Sequence, residues 1–246
     1  MTAQWNPIVV LPARLGATRL PAKPLADIHG EPMIVHVWRR AMAAGIGRVV
    51  VACAEAAIGE AIERAGGQWV LTRPDHPSGS DRVFEAVSLL DPEERHDVVV
   101  NLQGDLPTIA PEAIRAALDP LAEPTVAIAT VAAEIKREDE IGDRNVVKVA
   151  MGLGAGARIG HALYFSRNPV PAGSGPYYHH IGLYAFRRAA LKRFVGLPQT
   201  PLEKREALEQ LRALEDGMRI GVALVDMIPI GVDTPADLAR ARDILR

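Results

Sequence analysis

The chain has 246 residues, of which 48% are apolar and 24% charged, and its formal net charge is −2. The composition is that of an ordinary globular protein, and the length suffices for a large α/β domain. Because no basic stripe runs through the sequence, composition argues against a general nucleic-acid binder. No apolar run approaches the roughly 18 residues of a membrane span, and no signal peptide opens the chain, so we expect a cytoplasmic protein without a membrane partner.

The first strand signal is followed by a basic loop. Residues 7–11 are apolar and mostly β-branched, and residues 12–24 combine proline, glycine and the cations Arg14, Arg19 and Lys23. Open α/β sheets bind ligands at the carboxyl ends of their strands. Arginine can hold two phosphate oxygens at once, and lysine adds a point charge. The loop is therefore a candidate anion site, and a solvated basic surface loop is the alternative.

Strand and helix patterns alternate through the first half of the chain. Apolar strand patterns lie at residues 48–53, 69–71 and 98–100, and helical periodicity covers residues 33–44, 55–65 and 83–90. This β-α-β alternation predicts a parallel sheet. We expect Ser80 or Asp81 to cap the third of these helices.

Two further strand ends carry polar groups. Loop 72–82 follows the third strand and is rich in turn formers, so its backbone can read a base or a ribose, or it can serve as a capped turn alone. Gln103, Gly104 and Asp105 follow the fourth strand, and Gly104 permits a close backbone approach. Prolines delay the next helix, so we interpret Asp105 as a metal ligand rather than a helix cap.

The second half is dominated by strand patterns. They lie at residues 126–132, 146–151, 162–165, 181–186 and 220–225, which indicates an antiparallel or mixed extension of the sheet. The glycine-rich segment 152–156 is interpreted as a hairpin loop, because no helix follows it as a dinucleotide motif requires. A proline- and glycine-rich loop is expected over residues 166–178, and one helix over residues 201–212.

The terminal helix has a clear start signal. Thr234 is a good N-cap, with Pro235 at the first helical position and Asp237 at the third, which leaves Asp233 free to bind a ligand. No repeat or linker divides the chain, so the sequence predicts a single domain over residues 1–246.

Four residues whose side chains could be reactive have simpler interpretations. Cys53, the one cysteine of the chain, ends an apolar run and is expected to pack as a small apolar residue, with a catalytic thiol as the alternative. His36 lies within a helix and is expected to be packed or capped. His179 and His180 are adjacent on a strand, so they point to opposite faces and at most one enters a given site.

Seven segments, in the same order along the chain, resemble the family of 3-deoxy-D-manno-octulosonate (Kdo) cytidylyltransferases. They are residues 12–25, 32–37, 75–82, 101–105, 162–167, 208–212 and 231–235. The chain departs from the family pattern at Leu106, where Glu is usual, at residues 52–54, where Ala-Thr-Asp is usual, and in a shorter loop 167–179.

The resemblance implies a fold, a reaction and an assembly. The fold is a Rossmann-like nucleotidyltransferase fold, α/β, with a mainly parallel sheet flanked by helices and a mixed-strand extension in the second half. The reaction transfers CMP from CTP to the anomeric hydroxyl of Kdo, giving CMP-Kdo and diphosphate for lipopolysaccharide biosynthesis. The assembly is a homodimer, and the cofactor is Mg²⁺.

The resemblance also assigns residues by position. The triphosphate would be held by Arg14, Arg19 and Lys23. The rest of the nucleotide would contact Arg73, Ser78, Gly79, Arg82 and Gln103. Asp105 and Asp233 would hold Mg²⁺ and, with Arg14 and Lys23, form the catalytic set. The sugar would lie near His180, Tyr184, Glu209 and Gln210.

Two other functions stay open on sequence grounds. One is a cytidylyltransferase for a different acidic sugar, such as amino-Kdo or an acylneuraminate. The other is a non-catalytic nucleotide sensor, which would bind CTP without turnover. Retention of both Asp105 and Asp233 argues against the sensor, because binding alone needs only the basic loop.

Overall fold

The computed structural model describes residues 5–16 and 19–246; Ala17 and Thr18 of the predicted basic loop lie outside the described residues. The strands are β1 (Pro7–Ala13), β2 (Asp27–Ile28), β3 (Glu31–Pro32), β4 (Arg48–Cys53), β5 (Gln68–Leu71), β6 (Val98–Leu102), β7 (Val126–Glu134), β8 (Lys148–Gly152), β9 (Ile159–Ser166), β10 (Tyr178–Arg187) and β11 (Arg219–Val225). The helices are α1 (Met33–Ala44), α2 (Ala56–Arg64), α3 (Gly79–Leu90), α4 (Pro111–Ala116), α5 (Glu138–Gly142), α6 (Arg188–Val195), α7 (Pro201–Glu206), α8 (Leu211–Glu215) and α9 (Pro235–Ile244). None of these helices is long and apolar enough to cross a membrane.

The described residues form two compact units. The first unit contains the chain from Trp5 to Ile114 and from Pro229 to Arg246, and the second runs from Arg115 to Ile228. A compact unit is not by itself a domain, so the single domain over residues 1–246 stays a prediction.

The first unit is built on a parallel sheet with the strand order β5-β4-β1-β6. All seven residues of β1 are buried, as expected for a central strand whose two faces are covered. Helices α1, α2 and α3 pack against these strands. The parallel sheet predicted from the β-α-β alternation is confirmed.

Two helix starts in this unit test the capping predictions. Helix α3 begins at Gly79 and is capped by Ser78, whose Oγ accepts a hydrogen bond from the Asp81 backbone at 3.2 Å, so the prediction of a cap at Ser80 or Asp81 is wrong. The helix starts before the apolar periodicity that marks it in the sequence. Its first turn contains Ser80 and Arg82, which are polar residues and yet buried. At α9, Thr234 forms the predicted capping box with Asp237.

The second unit holds a mixed sheet with the strand order β10-β7-β11-β9-β8. Strand β7 is parallel to β11 and antiparallel to β10, and β9 is antiparallel to both β8 and β11. Strand β8 also pairs with β10, where Lys148 lies opposite His179. The mixed strands predicted for the second half are confirmed, and segment 152–156 lies in the β8–β9 hairpin as expected.

The helix predicted over residues 201–212 is wrong, because two short helices occupy this region. Helix α7 ends at Ala207, which has a left-handed backbone (φ 53°), and α8 begins only at Leu211. Leu208 and Leu211 are both buried in the observed structure. One continuous helix would place these two side chains on adjoining parts of a single face. Helix α6 was also missed, since its short pattern follows directly on β10.

Candidate active site

A cavity of about 370 Å³ opens in the first unit, where β1 and β6 end. Its walls come from the loop after β1, the segment leading into α3, the exit of β6 and the segment before α9. The sequence-predicted residues that line it are Arg14, Arg19, Lys23, Ser78, Gly79, Arg82, Gln103, Asp105 and Asp233. The structure thus brings together residues from four separate stretches of the chain at the strand ends where α/β folds bind ligands.

Lys23 lies between the two predicted metal carboxylates. Its Nζ donates to Asp105 Oδ2 at 2.8 Å and to Asp233 Oδ1 at 3.0 Å. Burial opposes the charged ammonium, but the charges and hydrogen bonds of the two carboxylates outweigh it, so the pKa of Lys23 is raised. The group therefore stays cationic at neutral pH and bridges both acids.

Asp233 also pairs with Arg19, whose Nη2 lies 3.0 Å from Oδ2. Burial alone would raise the pKa of Asp233, but Lys23 and Arg19 reverse the effect and hold it below its ordinary value. The prediction that Asp233 lies outside the α9 cap is confirmed, yet its carboxylate is occupied by two cations rather than free.

Backbone contacts place Asp233 beside Asp105. The amide of Val232 donates to the Asp105 carbonyl oxygen at 2.9 Å, and the amide of Ile230 donates to Thr108 Oγ1 at 2.8 Å. The segment before α9 therefore runs along the exit of β6. This contact joins two acidic residues that are far apart in the sequence.

Gly104 and Gln103 shape the same wall. A Cβ at position 104 would lie 3.1 Å from the carbonyl oxygen of Pro12 and 3.0 Å from Ile34 Cδ1, which supports the predicted close backbone approach. Gln103 donates from Nε2 to Asn101 Oδ1 at 3.3 Å, which orients its amide at the cavity.

Arg82 organises the loop after β5. Its Nη1 donates to Thr72 Oγ1 at 2.6 Å and to the Arg73 carbonyl oxygen at 3.0 Å, and its Nη2 donates to the Pro74 carbonyl oxygen at 3.4 Å. Burial, opposed by Glu55 and assisted by the charge of Arg14, lowers the pKa of Arg82. The side chain lines the cavity, and it donates hydrogen bonds to the Thr72 hydroxyl and to two carbonyl oxygens of the loop.

A His–Glu pair that was not predicted from the sequence holds this loop. His76 lines the cavity and its Nε2 donates to the carboxylate of Glu85, which also accepts from the backbone amide of Arg73 at 3.1 Å. Burial acts to raise the pKa of Glu85, but the His76 hydrogen bond and its other partners lower it. His76 lies in loop 72–82, which the sequence predicts to be a nucleotide-reading loop. Nothing in the sequence distinguishes Glu85 from a surface carboxylate.

Arg73 does not line the cavity. Its Nε lies 3.8 Å from Glu85 Oε2, and the side chain is exposed. Its role as a nucleotide contact stays a prediction.

The simpler interpretations of Cys53 and His36 agree with their surroundings. Burial raises the pKa of the Cys53 thiol to about 11, and its Sγ faces the Val70 carbonyl oxygen at 3.6 Å, so the group packs as a neutral thiol. His36 donates from Nε2 to the Ile28 carbonyl oxygen at 3.0 Å, as a packed histidine does.

The residues predicted near the sugar all lie in the second unit. The rings of His180 and Tyr184 on β10 are 5.3 Å apart, and both side chains are buried. Burial raises the pKa of Tyr184 well above its ordinary value, and the nearby charge of Glu209 adds to the shift. Gln210 is 4% exposed, and its Nε2 has no hydrogen-bond partner within the described part of the chain. A buried unpaired amide donor is suited to a polar ligand.

The donor set of Asp105 and Asp233 fits Mg²⁺. Mg²⁺ takes one or two carboxylates and completes its shell with water and substrate phosphates. Within residues 5–16 and 19–246, no cluster of three or more His, Cys, Asp or Glu side chains forms a self-contained metal site. The two carboxylates already converge on one cation, the Lys23 ammonium, so they can share another.

Comparisons with known proteins agree with this geometry. A family described as Cytidylyltransferase matches residues 8–220. The chain is 65% identical over 244 residues to the 3-deoxy-manno-octulosonate cytidylyltransferase of Paramagnetospirillum magneticum, covering 99% of each chain. It is 64% identical to the protein of that name from Rhodospirillum centenum, over 99% of this chain and 95% of the relative.

Solved structures show the same relationship. A CMP:2-keto-3-deoxy-manno-octonic acid synthetase complexed with CTP superimposes with a TM-score of 0.88 and 37% identity, over 98% of both chains. A 4-diphosphocytidyl-2C-methyl-D-erythritol synthase from Anaerococcus prevotii, at 12% identity and a TM-score of 0.64, shares the fold alone. The predicted nucleotidyltransferase fold is confirmed, and the cavity lies within the matched region. By its sequence, its fold and its match across nearly the whole chain, this protein belongs to the cytidylyltransferase family, among the 3-deoxy-manno-octulosonate cytidylyltransferases.

Proposed function

We propose that this protein transfers CMP from CTP to the anomeric hydroxyl of Kdo and releases diphosphate. The observation that carries the proposal is the cavity in the first unit, which Arg14, Arg19 and Lys23 line together with the pair Asp105 and Asp233. The chain has this site in a sequence 65% identical to a relative named for the same reaction. A cytidylyltransferase needs both the cations and the carboxylates, because it must hold a triphosphate and bring a second anion to it.

The cations hold and polarise the triphosphate. Arg14 is exposed at the cavity, and Lys23 is the more buried of the two cations that contact Asp233. Charge-assisted hydrogen bonds to phosphate contribute about 1.5–3 kcal/mol each. They neutralise the charge that develops on the departing diphosphate, which is the main demand of phosphoryl transfer.

The acceptor oxygen forms a bond to the α-phosphorus, and the bond from that phosphorus to the bridging oxygen of diphosphate breaks in line. The hydroxyl proton leaves to solvent. Asp105 and Asp233 would hold Mg²⁺, which when bound neutralises phosphate charge and lowers the pKa of a coordinated hydroxyl. The two carboxylates also hold the ammonium of Lys23 near the phosphate site.

The base is read by the loop that Arg82 organises. Arg82 donates to the Thr72 hydroxyl and to two backbone carbonyl oxygens of residues 73–74, and His76 is fixed by Glu85. A rigid backbone carbonyl that accepts from the cytosine amino group would face the carbonyl of uracil with another acceptor. A buried polar group without a partner costs roughly 1–3 kcal/mol. We therefore expect CTP to be preferred over UTP by about ten-fold to a few hundred-fold.

The sugar is held by the second unit in this proposal. His180, Tyr184, Glu209 and Gln210 offer an imidazole, a phenol, a carboxylate and an unpaired amide donor. Such groups suit the hydroxyls and the carboxylate of an acidic sugar. The names of the relatives favour Kdo over the other acidic sugars.

The testing experiment measures diphosphate release with a panel of substrates. CTP and UTP are compared at fixed Kdo, and then Kdo, amino-Kdo and N-acetylneuraminate are compared at fixed CTP. We expect the highest kcat/KM with CTP and Kdo. Equal values for CTP and UTP would remove the cytidylyl assignment, a preference for another sugar would change the acceptor, and CTP binding without turnover would support the sensor.

We also propose that two copies of the chain assemble through the exposed face of β9. Ile159 and Leu163 lie on one side of this strand and are 46% and 66% exposed, so they present apolar surface on the same face. A second copy would cover them, consistent with the homodimer that the family resemblance implies. Sedimentation velocity should show a dimer that Leu163→Glu converts to monomer, and a wild-type monomer at high concentration would contradict the proposal.

The reaction belongs in the cytoplasm under this proposal, because CTP is made and held there. Its product would feed lipopolysaccharide assembly, the role that the family resemblance implies. Loss of Kdo from the lipopolysaccharide of cells depleted of this protein would support that placement, and unchanged lipopolysaccharide would contradict it.

A further inference from the structure

The hydroxyl of Thr130 lies at an irregularity in the mixed sheet. Thr130 is completely buried on β7, and the pairing of β7 with β10 shifts register between Ile181 and Tyr184. Its Oγ1 is 2.7 Å from the Leu183 carbonyl oxygen and 3.4 Å from that of Ile181. A bulge leaves residues outside the regular ladder, so a side chain has to supply their hydrogen bonds. Thr130 supplies one here.

The same oxygen lies 3.0 Å from Nε2 of His180. A threonine hydroxyl has one proton to donate, and its lone pairs accept. The short contact to Leu183 takes that proton, because two oxygens at 2.7 Å need a hydrogen between them. The contact to His180 is then made with a proton on Nε2.

The imidazole is neutral in these surroundings. Burial, helped by the charge of His179, lowers the pKa of His180 to about 3. A neutral imidazole carries one proton, so with Nε2 protonated the Nδ1 atom is an acceptor. The ring is also held from two sides, by the edge of Phe165 at 4.9 Å and by Tyr184 at 5.3 Å between ring centroids.

We propose that Thr130 is a positioning residue for the sugar: its hydroxyl fixes His180 in the Nε2–H tautomer, so that Nδ1 accepts a hydrogen bond from a sugar hydroxyl. The inference rests on the proposed function, because it takes the sugar to be bound by His180. The chain of donors runs from His180 to Thr130 to the Leu183 carbonyl oxygen, and the bulge in β10 brings that carbonyl to the threonine. With the opposite tautomer, an unprotonated Nε2 would face the Thr130 oxygen with another acceptor, and Nδ1–H would donate to a sugar hydroxyl instead of accepting from it.

The test uses two substitutions at position 130 and one control. Thr130→Val keeps the shape and removes the hydroxyl, whereas Thr130→Ser keeps the hydroxyl. Val126→Ala, at the first residue of β7 and also buried, is a control for a loss of packing alone. Each variant is compared in thermal stability, in KM for Kdo and for CTP, and in the nitrogen resonances of His180, which are assigned by their absence in His180→Gln.

We expect the wild type and Thr130→Ser to show a protonated Nε2 and an unprotonated Nδ1 at pH 7. Thr130→Val should show a mixture of tautomers and a KM for Kdo raised by about ten-fold, with KM for CTP unchanged. Val126→Ala should lose stability without either effect. If Thr130→Val does not fold, the wild-type resonances and Thr130→Ser carry the test.

The proposal is overturned if wild-type His180 carries its proton on Nδ1, if Thr130→Val binds Kdo as the wild type does, or if Thr130→Ser is as impaired as Thr130→Val. Failure of the proposed function is a different result. In that case the wild type does not turn over CTP with Kdo, while the nitrogen resonances still report whether Thr130 sets the tautomer.

Discussion

Lys23 has two tasks that compete at the scale of a single residue. It is a predicted triphosphate contact, and it is the cation that Asp105 and Asp233 share. Both carboxylates accept hydrogen bonds from the same ammonium, so the placement of each of the three side chains depends on the other two. Substitutions of these three residues therefore separate phosphate binding from metal binding.

Asp105→Asn and Asp233→Asn should each lower kcat by about 100-fold or more while leaving the protein folded. Each change removes a carboxylate charge at a partly exposed site, without opening the core. Diphosphate release is measured at saturating CTP and Kdo across an Mg²⁺ titration, beside the thermal unfolding midpoint. Near-normal turnover at high Mg²⁺ in either variant would refute the metal assignment.

Lys23→Met should affect two ligands in opposite directions. Removing the ammonium takes away the cation that both carboxylates share, so the protein without nucleotide should bind Mn²⁺ about ten-fold more tightly or better. The same variant should bind CTP more weakly, because a phosphate contact is lost. Mn²⁺ affinity is followed by the electron paramagnetic resonance signal of the free ion, and CTP by calorimetry.

Lys204→Met, on the exposed side of α7, is the matched control for the loss of a lysine charge. It should bind both ligands as the wild type does. If Lys23→Met binds Mn²⁺ no more tightly than the wild type, the ammonium does not compete for the metal carboxylates.

At the scale of elements, the turn between α7 and α8 depends on a buried ion pair. Arg212 donates from Nε to Glu203 Oε2 at 2.8 Å, and both residues are buried. Glu203 also accepts from the backbone of Thr200 at 3.3 Å, and the guanidinium of Arg212 lies 5.3 Å from the ring centroid of Phe194. The pair closes the turn that carries Glu209 and Gln210, so it supports the predicted sugar contacts indirectly.

Glu203→Gln should lower the free energy of unfolding by about 3–5 kcal/mol, because it removes the buried carboxylate to which the Arg212 guanidinium donates. The double variant Glu203→Gln with Arg212→Met should recover most of that loss, since the buried guanidinium is removed together with its carboxylate partner. Urea denaturation of the wild type and the two variants measures both effects. A double variant less stable than Glu203→Gln would show that the guanidinium contributes mainly by packing.

Local patterns were sufficient for most elements of the first unit. Strands β1, β4 and β6 are short apolar runs. Helix α9 begins with a capping box whose residues, Thr234 and Asp237, are recognisable in the sequence. The split at Ala207 was not predictable from periodicity, because it depends on a buried pair nine residues apart. Helical periodicity in the sequence does not show that a turn at Ala207 is more stable than one continuous helix.

At the scale of the whole molecule, two adjacent histidines tie stability to pH. Burial, with the charge of Lys148, lowers the pKa of His179 to about 4, and burial lowers that of His180 to about 3. The unfolded chain protonates a histidine near pH 6.5. Between these values the unfolded state binds more protons than the folded state, so stability rises with pH across the window.

The free energy of unfolding should therefore fall as pH decreases from 7 to 5. Each histidine contributes up to about 1.4 kcal/mol per pH unit well below pH 6.5. His179→Gln should reduce this slope, and His161→Gln on β9 is the control for replacing a histidine in the same sheet. Urea denaturation at pH 5, 6 and 7 is the measurement, and an unchanged slope in His179→Gln would count against the assignment.

The sequence by itself determined the family, the parallel strands of the first unit and two acidic positions, one at the exit of β6 and one just before α9. These follow from apolar periodicity, helix caps and motif order, all of which are local along the chain. Only the tertiary structure decided that Val232 docks on Asp105, that Lys23 bridges Asp105 and Asp233, and that Thr130 bonds to His180. These contacts join residues that are distant in sequence, and their energy depends on burial and on the direction of each donor. No local pattern records those quantities, so they emerge only when the strands are placed side by side.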